Sequence, residues 1–338
     1  MQTGFGVIGT GLWGEMHILT YTTHPGTRLV AVCDVNEAKL KEVTGKYGVK
    51  GYTDYREMLQ QEPDIAAVSV ATPDFAHLEP ALAVAKAGKH LLVEKPLATT
   101  VADAEAIIRA AQEAGVQLMV DFHNRWNPPF NRAKSAIEAG ELGKPRLIYA
   151  RLNNALFVPT QMLTWAGRSA TIWFTGSHVI DLVRWLVGDE VRRVYSVARS
   201  GVLKELGVDT PDFFETVLEF RGGAVAVVEN CWILPNSEPT GIDFKMQIVG
   251  SQGTFQIDPS HNRVIEKYTD KLTYPDALVM PTVFGQVKGF AVESIKHFAD
   301  CIVGGQSPLV TGEDGLAVTR IICAALESAE SGQPVTLL

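Results

Sequence analysis

A glycine-rich hexapeptide near the N-terminus, Gly9-Thr10-Gly11-Leu12-Trp13-Gly14, constrains the fold of this chain more than any other segment. It follows an apolar run at residues 5–8 that is typical of a buried strand, and it precedes residues that can begin a helix. A second apolar run ends at Asp34, twenty positions after Gly14. This order of strand, G-x-G-x-x-G, helix and acid predicts a dinucleotide-binding turn. We therefore expect the hexapeptide and Asp34 to contact a dinucleotide, with its phosphates at the helix N-terminus.

Length and charge exclude several classes of protein. The chain has 338 residues, enough for about two domains, and its net charge of −8 argues against binding to nucleic acid or to an anionic membrane. No apolar run approaches the length of a membrane span, and no leader peptide is predicted. The four scattered cysteines predict reduced thiols in a cytoplasmic protein, and the eight histidines lack the spacing of metal ligands. We expect no metal.

The pattern of elements predicts an α/β protein with two domains. Strand and helix patterns alternate through residues 1–122, which predicts a doubly wound parallel sheet in a Rossmann domain. After residue 127 the strand-like runs lie closer together, which predicts an α+β domain over residues 123–338 with a large open, mainly antiparallel sheet. Its final helices could pack on the first domain. The bare face of this sheet predicts a homo-oligomer, a dimer or a tetramer.

The carboxyl edge of the parallel sheet is where a ligand of such a fold lies. The segments Ala71-Thr72-Pro73 and Glu94-Lys95-Pro96 each follow a predicted strand and are expected to contact the cofactor there. Lys95 would lie beside a nicotinamide ring, where an ammonium group can polarise a substrate oxygen. His77 is expected to cap its helix or to line the cofactor groove.

These motifs are similar to those of the Gfo/Idh/MocA oxidoreductases, and the resemblance covers essentially the whole chain. It implies an N-terminal Rossmann domain and a C-terminal domain with an open, mainly antiparallel sheet. It also implies an NAD(P)-dependent enzyme that oxidises a secondary hydroxyl of a sugar or cyclitol, or catalyses the reverse reduction. The family's lysine corresponds to Lys95, as a residue that polarises the substrate and contacts the nicotinamide.

A second segment, Gly176-Ser177-His178-Val179-Ile180-Asp181, resembles the family's G-x-H-x-x-D helix. A histidine near the start of a helix suits proton transfer at neutral pH, so His178 is the predicted general acid/base. Asp181, one helical turn later, could orient His178 or pair with Arg184. Many family dehydrogenases have an aspartate four residues before this histidine, but this chain has Phe174. Either Lys95 and His178 suffice, or Thr175 or another residue replaces the acid, or the chemistry differs.

Candidate substrate contacts lie in two further places. Asn124 and Arg125 follow the last Rossmann strand, where they could bind substrate hydroxyls or the cofactor, or form structural hydrogen bonds. Trp165 and Trp173 flank a loop that could cover the site, and such rings stack on sugars but are also ordinary core residues.

Asp34 also predicts which cofactor is used. Its carboxylate can accept hydrogen bonds from the adenosine ribose and would repel a 2′-phosphate, and no basic residue precedes Lys39. NAD is therefore expected in preference to NADP. The predicted activity is NAD-dependent hydride transfer with a sugar, polyol or cyclitol. The alternatives are a redox-neutral glycoside-processing enzyme with tightly bound NAD, and a non-catalytic protein that binds NAD or a sugar.

Overall fold

The computed structural model describes residues 2–260 and 264–337 of the chain. Its internal contacts divide it into two compact units. The first consists of Met1–His123 with Ala291–Thr319, and the second of Asn124–Phe290 with Arg320–Leu338. Among the residues described, no helix combines the length and the apolar character that a membrane span requires.

The first unit contains the doubly wound sheet predicted from the alternating pattern. Six parallel strands lie in the order β3-β2-β1-β4-β5-β6, with helices in the connections. The strands are β1 Thr3–Ile8, β2 Thr27–Cys33, β3 Lys50–Tyr52, β4 Ile65–Val70, β5 His90–Glu94 and β6 Leu118–Asp121. The helices between them are α1 Leu12–Thr23, α2 Glu37–Tyr47, α3 Tyr55–Gln61, α4 Leu78–Lys86 and α5 Val101–Ala114.

Local capping explains where several of these helices begin and end. The Thr100 side chain accepts a hydrogen bond from the backbone N–H of Asp103 at 3.1 Å, which caps the start of α5. Gly48 follows α2 with φ 64°, a left-handed conformation that glycine adopts without a Cβ clash. Residues close in the chain therefore account for both of these helix ends.

The second unit contains a seven-stranded sheet, and the mainly antiparallel prediction is confirmed. Its strand order is β12-β11-β7-β10-β9-β8-β17, and the pairing of β7 with β10 is parallel. The strands are β7 Pro145–Asn154, β8 Val191–Arg199, β9 Phe213–Phe220, β10 Val225–Cys231, β11 Ile242–Gly250, β12 Thr254–Ile257 and the C-terminal β17 Val335–Thr336. Alternate residues of β9 and β10 are buried, as one-sided packing requires.

Shorter elements complete the chain. Two small hairpins pair β13 Lys267–Tyr268 with β14 Leu272–Thr273 and β15 Thr282–Val283 with β16 Gln286–Val287. The remaining helices are α6 Pro128–Glu138, α7 Ser177–Val187, α8 Val202–Glu205, α9 Phe290–Gly304 and α10 Gly312–Ser331. The sequence analysis did not predict the hairpins or β17, because two-residue strands are too short to show a periodic pattern.

Candidate functional site

The three glycines of the N-terminal loop meet different surroundings. Gly9 has φ 91°, and a Cβ there would lie 2.5 Å from the carbonyl oxygen of Ala71. A Cβ on Gly14 would overlap the carbonyl oxygen of Gly9. In contrast, a Cβ on Gly11 would meet no atom within 4 Å. The fold therefore requires Gly9 and Gly14, whereas the space over Gly11, at the N-terminus of α1, is free for the backbone-phosphate contact of a dinucleotide.

Asp34 follows β2 and is held against this loop. Its Oδ2 accepts hydrogen bonds from the backbone N–H of Thr10 at 2.7 Å and from the Thr10 hydroxyl at 2.8 Å. Its Oδ1 accepts from the backbone N–H of Asn36 at 2.9 Å. These bonds fix the carboxylate beside the glycine-rich loop, the position that suits a ribose diol.

His77 is the N-cap residue of α4, but its side chain makes no capping hydrogen bond to the helix. Its Nδ1 lies 2.8 Å from the carbonyl oxygen of Pro96, and its Nε2 lies 2.9 Å from that of Thr72. The ring therefore links the segment after β4 to the segment after β5. Because the carbonyl oxygens of Pro96 and Thr72 each lie within hydrogen-bonding distance of one ring nitrogen, neither nitrogen is available to cap the helix.

Lys95 lies directly after β5 and is only 8% exposed. Burial lowers the pKa of its ammonium group below the ordinary lysine value, and nearby carboxyl groups, first Glu94 and then Asp74, oppose this shift where they are ionised. A buried lysine with a lowered pKa at the carboxyl edge of a parallel sheet has the properties of a group that exchanges or shares a proton.

Three side chains that sequence reasoning did not assign lie around Lys95 and the loop. His17 and Asp121 lie beside Glu94, with His17 Nε2 2.9 Å from Glu94 Oε1. His123 stacks on Trp13 of the glycine-rich loop, with ring centroids 4.9 Å apart and planes at 25°. Burial lowers the pKa of His123 to about 4, so this ring is neutral at pH 7. Asp121 could have been identified from the sequence, because it comes at the end of a predicted strand as Glu94 does, and the two are register partners at the ends of β5 and β6.

In the second unit, His178 lies at the start of α7, immediately after a π-helical turn at Ile172–Gly176. It is 8% exposed. Asp181, one turn later, accepts two hydrogen bonds from Arg125, from Nε at 2.9 Å and from Nη2 at 2.6 Å. Arg184, the partner considered from the sequence, instead donates to Glu190 from Nε at 2.9 Å and from Nη2 at 2.6 Å. The structure thus joins two predicted site residues, Arg125 and Asp181, to each other.

Phe174, at the position where the resemblance implied an aspartate, belongs to an aromatic group. The ring centroid of Phe174 lies 6.1 Å from that of Trp165 and 6.0 Å from that of Trp232. Trp232 is fully buried, and both Phe174 and Leu163 pack against its cluster. The contact of Trp165 with Phe174 agrees with the ordinary packing role that the sequence analysis left open for this tryptophan.

The remaining candidates of the second unit are also buried. The hydroxyl of Thr175 donates to the carbonyl oxygen of Thr171 at 2.9 Å, within the same π-helical region. Asn124 is 5% exposed. All the predicted cofactor contacts, with Lys95, thus lie in the first unit. His178, Asp181 and the predicted substrate contacts lie in the second.

Comparison with known proteins gives matches along almost the whole chain. Residues 3–122 match the model of an oxidoreductase family's NAD-binding Rossmann fold, and residues 134–337 match that family's C-terminal alpha/beta domain. A myo-inositol 2-dehydrogenase of Thermotoga maritima is 29% identical over 98% of each chain. A scyllo-inositol 2-dehydrogenase (NAD(+)) of Bacillus subtilis is 27% identical over 99% of this chain and 96% of its own. The crystal structure of a probable dehydrogenase from Thermotoga maritima superposes with a TM-score of 0.83 at 27% identity, over 98% of both chains.

Proposed function

Because the chain belongs to the Gfo/Idh/MocA family of oxidoreductases, we propose that it transfers a hydride between NAD and a secondary hydroxyl or keto group of a sugar, polyol or cyclitol. The inositol dehydrogenases among its relatives support this class of substrate. The observation that carries the proposal is the buried Lys95, with its lowered pKa, at the carboxyl edge of the NAD-binding sheet.

The residues of the first unit fit the cofactor. The open space over Gly11 admits the pyrophosphate, and the N–H groups at the start of α1 can donate to it. Asp34 would accept hydrogen bonds from the adenosine ribose and repel a 2′-phosphate, so NAD is preferred over NADP. The segments after β4 and β5, linked through His77, would line the rest of the groove. When bound, NAD supplies the hydride acceptor, and its reduced form supplies the donor.

The chain's own residues would handle the proton and the reacting oxygen. Lys95 donates a hydrogen bond to that oxygen and stabilises the negative charge that develops on it. His178 accepts the hydroxyl proton when the alcohol is oxidised and returns it when the ketone is reduced. Asp181 lies one turn after His178 in α7, and its carboxylate accepts both hydrogen bonds from Arg125. Asp181 therefore acts as a positioning residue that holds Arg125 against the helix of His178.

The test is an assay of sugars, cyclitols and their keto forms with NAD and with NADP, following both nicotinamide absorbance and product. Lys95→Ala and His178→Ala should each lower turnover by orders of magnitude while the affinity for NAD, measured by calorimetry, changes little. Unchanged turnover in both variants would refute the assigned roles. Loss of NAD binding in both would show that the two side chains serve the fold or the cofactor instead.

A second candidate function is redox-neutral processing of a glycoside with tightly held NAD. Phe174 favours it, because a phenyl ring packed against Trp165 cannot exchange a proton with a hydroxyl as the family's aspartate could. Substrate consumption without a net change in nicotinamide absorbance would identify this activity. Stoichiometric formation of NADH with product would exclude it for that substrate.

We also propose that the seven-stranded sheet forms a homo-oligomer through its open face. One row of in-register residues crosses this face and includes Tyr195, Val217, Val227 and Tyr149. The two tyrosines are 41% and 48% exposed. An apolar and aromatic row of this kind is typical of a surface that a second subunit covers.

A cytoplasmic location is proposed on chemical grounds. None of the four cysteines, all within the described residues, forms a disulfide, and Cys33 and Cys301 are buried. Free buried thiols are typical of proteins in a reducing compartment. Detection of the protein in an oxidising compartment of its cell would contradict this assignment.

A further inference from the structure

A buried acid cluster, defined here as His17, Glu94 and Asp121, lies near Lys95 in the first unit. Glu94 and Asp121 are register partners at the ends of the neighbouring strands β5 and β6. His17 of α1 approaches both, with Nε2 2.9 Å from Glu94 Oε1 and 4.0 Å from Asp121 Oδ2. The three side chains are at most 6% exposed. Two carboxyl groups therefore share one dry site beside the lysine.

We propose that this cluster holds one proton on Asp121 and thereby keeps Glu94 as the anion that stabilises the ammonium form of Lys95. The inference rests on the proposed function of Lys95. It adds that Glu94 is a positioning residue acting through that lysine, and that Asp121 is a neutral acid. Two adjacent buried carboxylates cannot both ionise without a large desolvation and repulsion cost, so one of them keeps its proton.

The hydrogen bonds decide which carboxyl group is the anion. Glu94 Oε1 lies 2.9 Å from His17 Nε2, so an N–H at this nitrogen donates directly to the Glu94 carboxylate, whereas the nearest Asp121 oxygen is 4.0 Å from the same nitrogen, beyond hydrogen-bonding distance. Burial acts to raise the pKa of Glu94, but the hydrogen bond from His17 and the nearby positive charges outweigh it, and the pKa lies below the ordinary value. Burial and the charge of Glu94 raise the pKa of Asp121 well above its ordinary value.

Other groups packed around the cluster leave this charge pattern intact. Burial raises the pKa of the Tyr21 phenol of α1, which therefore stays neutral and bonds to the Ser69 hydroxyl at 2.6 Å. His123, with its pKa of about 4, is also neutral at pH 7. Ser294 of α9 faces Asp121, and Asp74 adds a further negative charge that acts on Lys95. Among the acids, Glu94 has the largest effect on the lysine.

A metal ion is the competing occupant, because the three residues could each offer one ligand atom within 4.8 Å of the others. Tetrahedral zinc holds its nitrogen and oxygen ligands at about 2.0–2.2 Å, and so separates two ligand atoms by more than 3 Å. The 2.9 Å distance between His17 Nε2 and Glu94 Oε1 is instead that of a direct hydrogen bond. The geometry therefore favours a shared proton over an ion.

The first test compares two variants in which an amide replaces a carboxyl group of nearly equal shape. If Lys95 acts as an ammonium, activity is lost as the pH rises through its pKa. Glu94→Gln removes the stabilising anion, so the alkaline limb of the kcat profile should move to lower pH by about one unit or more. Asp121→Asn replaces a neutral acid with a neutral amide, and its alkaline limb should stay in place. The reverse pattern, with the shift in Asp121→Asn alone, would overturn the proposal.

The second test needs no substrate and so separates this inference from the proposed function. Protein labelled with [4-13C]aspartate is titrated by NMR, and the Asp121 resonance is identified by its loss in Asp121→Asn. We expect the chemical shift of a protonated carboxyl through neutral pH, whereas a carboxylate shift would refute the inference. If Asp121→Asn does not fold, the resonance is assigned by its displacement in Glu94→Gln. Stoichiometric metal in the purified wild-type protein that is lost in Glu94→Gln would also overturn the shared proton.

Discussion

The bidentate pair of Arg125 and Asp181 should behave as a buried ion pair whose disruption is far more costly than its complete replacement. The Asp181 side chain is 1% exposed and that of Arg125 10%. Removing one partner of such a pair leaves an uncompensated charge, at a cost of about 3–5 kcal/mol. We therefore expect Arg125→Met to lower the free energy of unfolding by that amount. The double variant Arg125→Met/Asp181→Leu should recover most of it, because apolar replacement of both partners is often neutral or stabilising.

The assay is urea unfolding at pH 7 followed by far-UV circular dichroism, on the wild type, both single variants and the double variant. Arg28→Met is the matched control, because Arg28 pairs with Asp64 at 2.8 Å but the two side chains are 44% and 71% exposed. The loss of an exposed pair of this kind should cost about 0–1 kcal/mol.

Two results would refute this reasoning about the pair. One is a cost for Arg125→Met as small as that of the control, which would mean that water reaches Asp181 freely. The other is additivity, with the double variant losing the sum of the two single losses. Additive losses would show that each side chain stabilises the unit through other contacts and not mainly through the other's charge.

Three further predictions concern the cofactor loop, the choice of cofactor and the oligomer. Gly11→Ala should leave thermal stability nearly unchanged but weaken NAD binding by about tenfold or more, or about 1.4 kcal/mol. Gly14→Ala should instead lower the stability of the fold in thermal denaturation. If the two variants changed stability and NAD affinity equally, the distinct roles of the two glycines would be contradicted. Asp34→Ala should reduce the preference for NAD in calorimetry, and equal or tighter NADP binding by the wild type would contradict the role of this carboxylate. Tyr149→Lys, on the open face of the seven-stranded sheet, should reduce the oligomer mass in light scattering. The control Tyr268→Lys, on an exposed tyrosine of β13 outside that sheet, should not. A wild-type protein that is a monomer would exclude the oligomer.

Much of the fold could be predicted because its signals are local. The Thr100 cap, the left-handed Gly48 and the apolar run of β4 all depend on residues close in sequence. The alternation of strands and helices is local in the same sense, and the structure has the predicted parallel sheet. The exceptions lack such a signal. The π-helical turn before His178 departs from the 3.6-residue period on which a sequence pattern depends, and the parallel pairing of β7 with β10 joins strands far apart in the chain.

In the candidate site too, some features follow from local sequence and others only from the tertiary structure. The amino-acid sequence by itself determined the glycine-rich turn, the acid after β2 and the position of Lys95 after a strand, because each follows from spacing along the chain. Only the tertiary structure decided the partners of the buried charges. Asp181 pairs with Arg125, 56 positions away, and His17 bonds to Glu94 across 77 positions. Strand register and helix packing bring these groups together, and burial then makes their charges depend on one another.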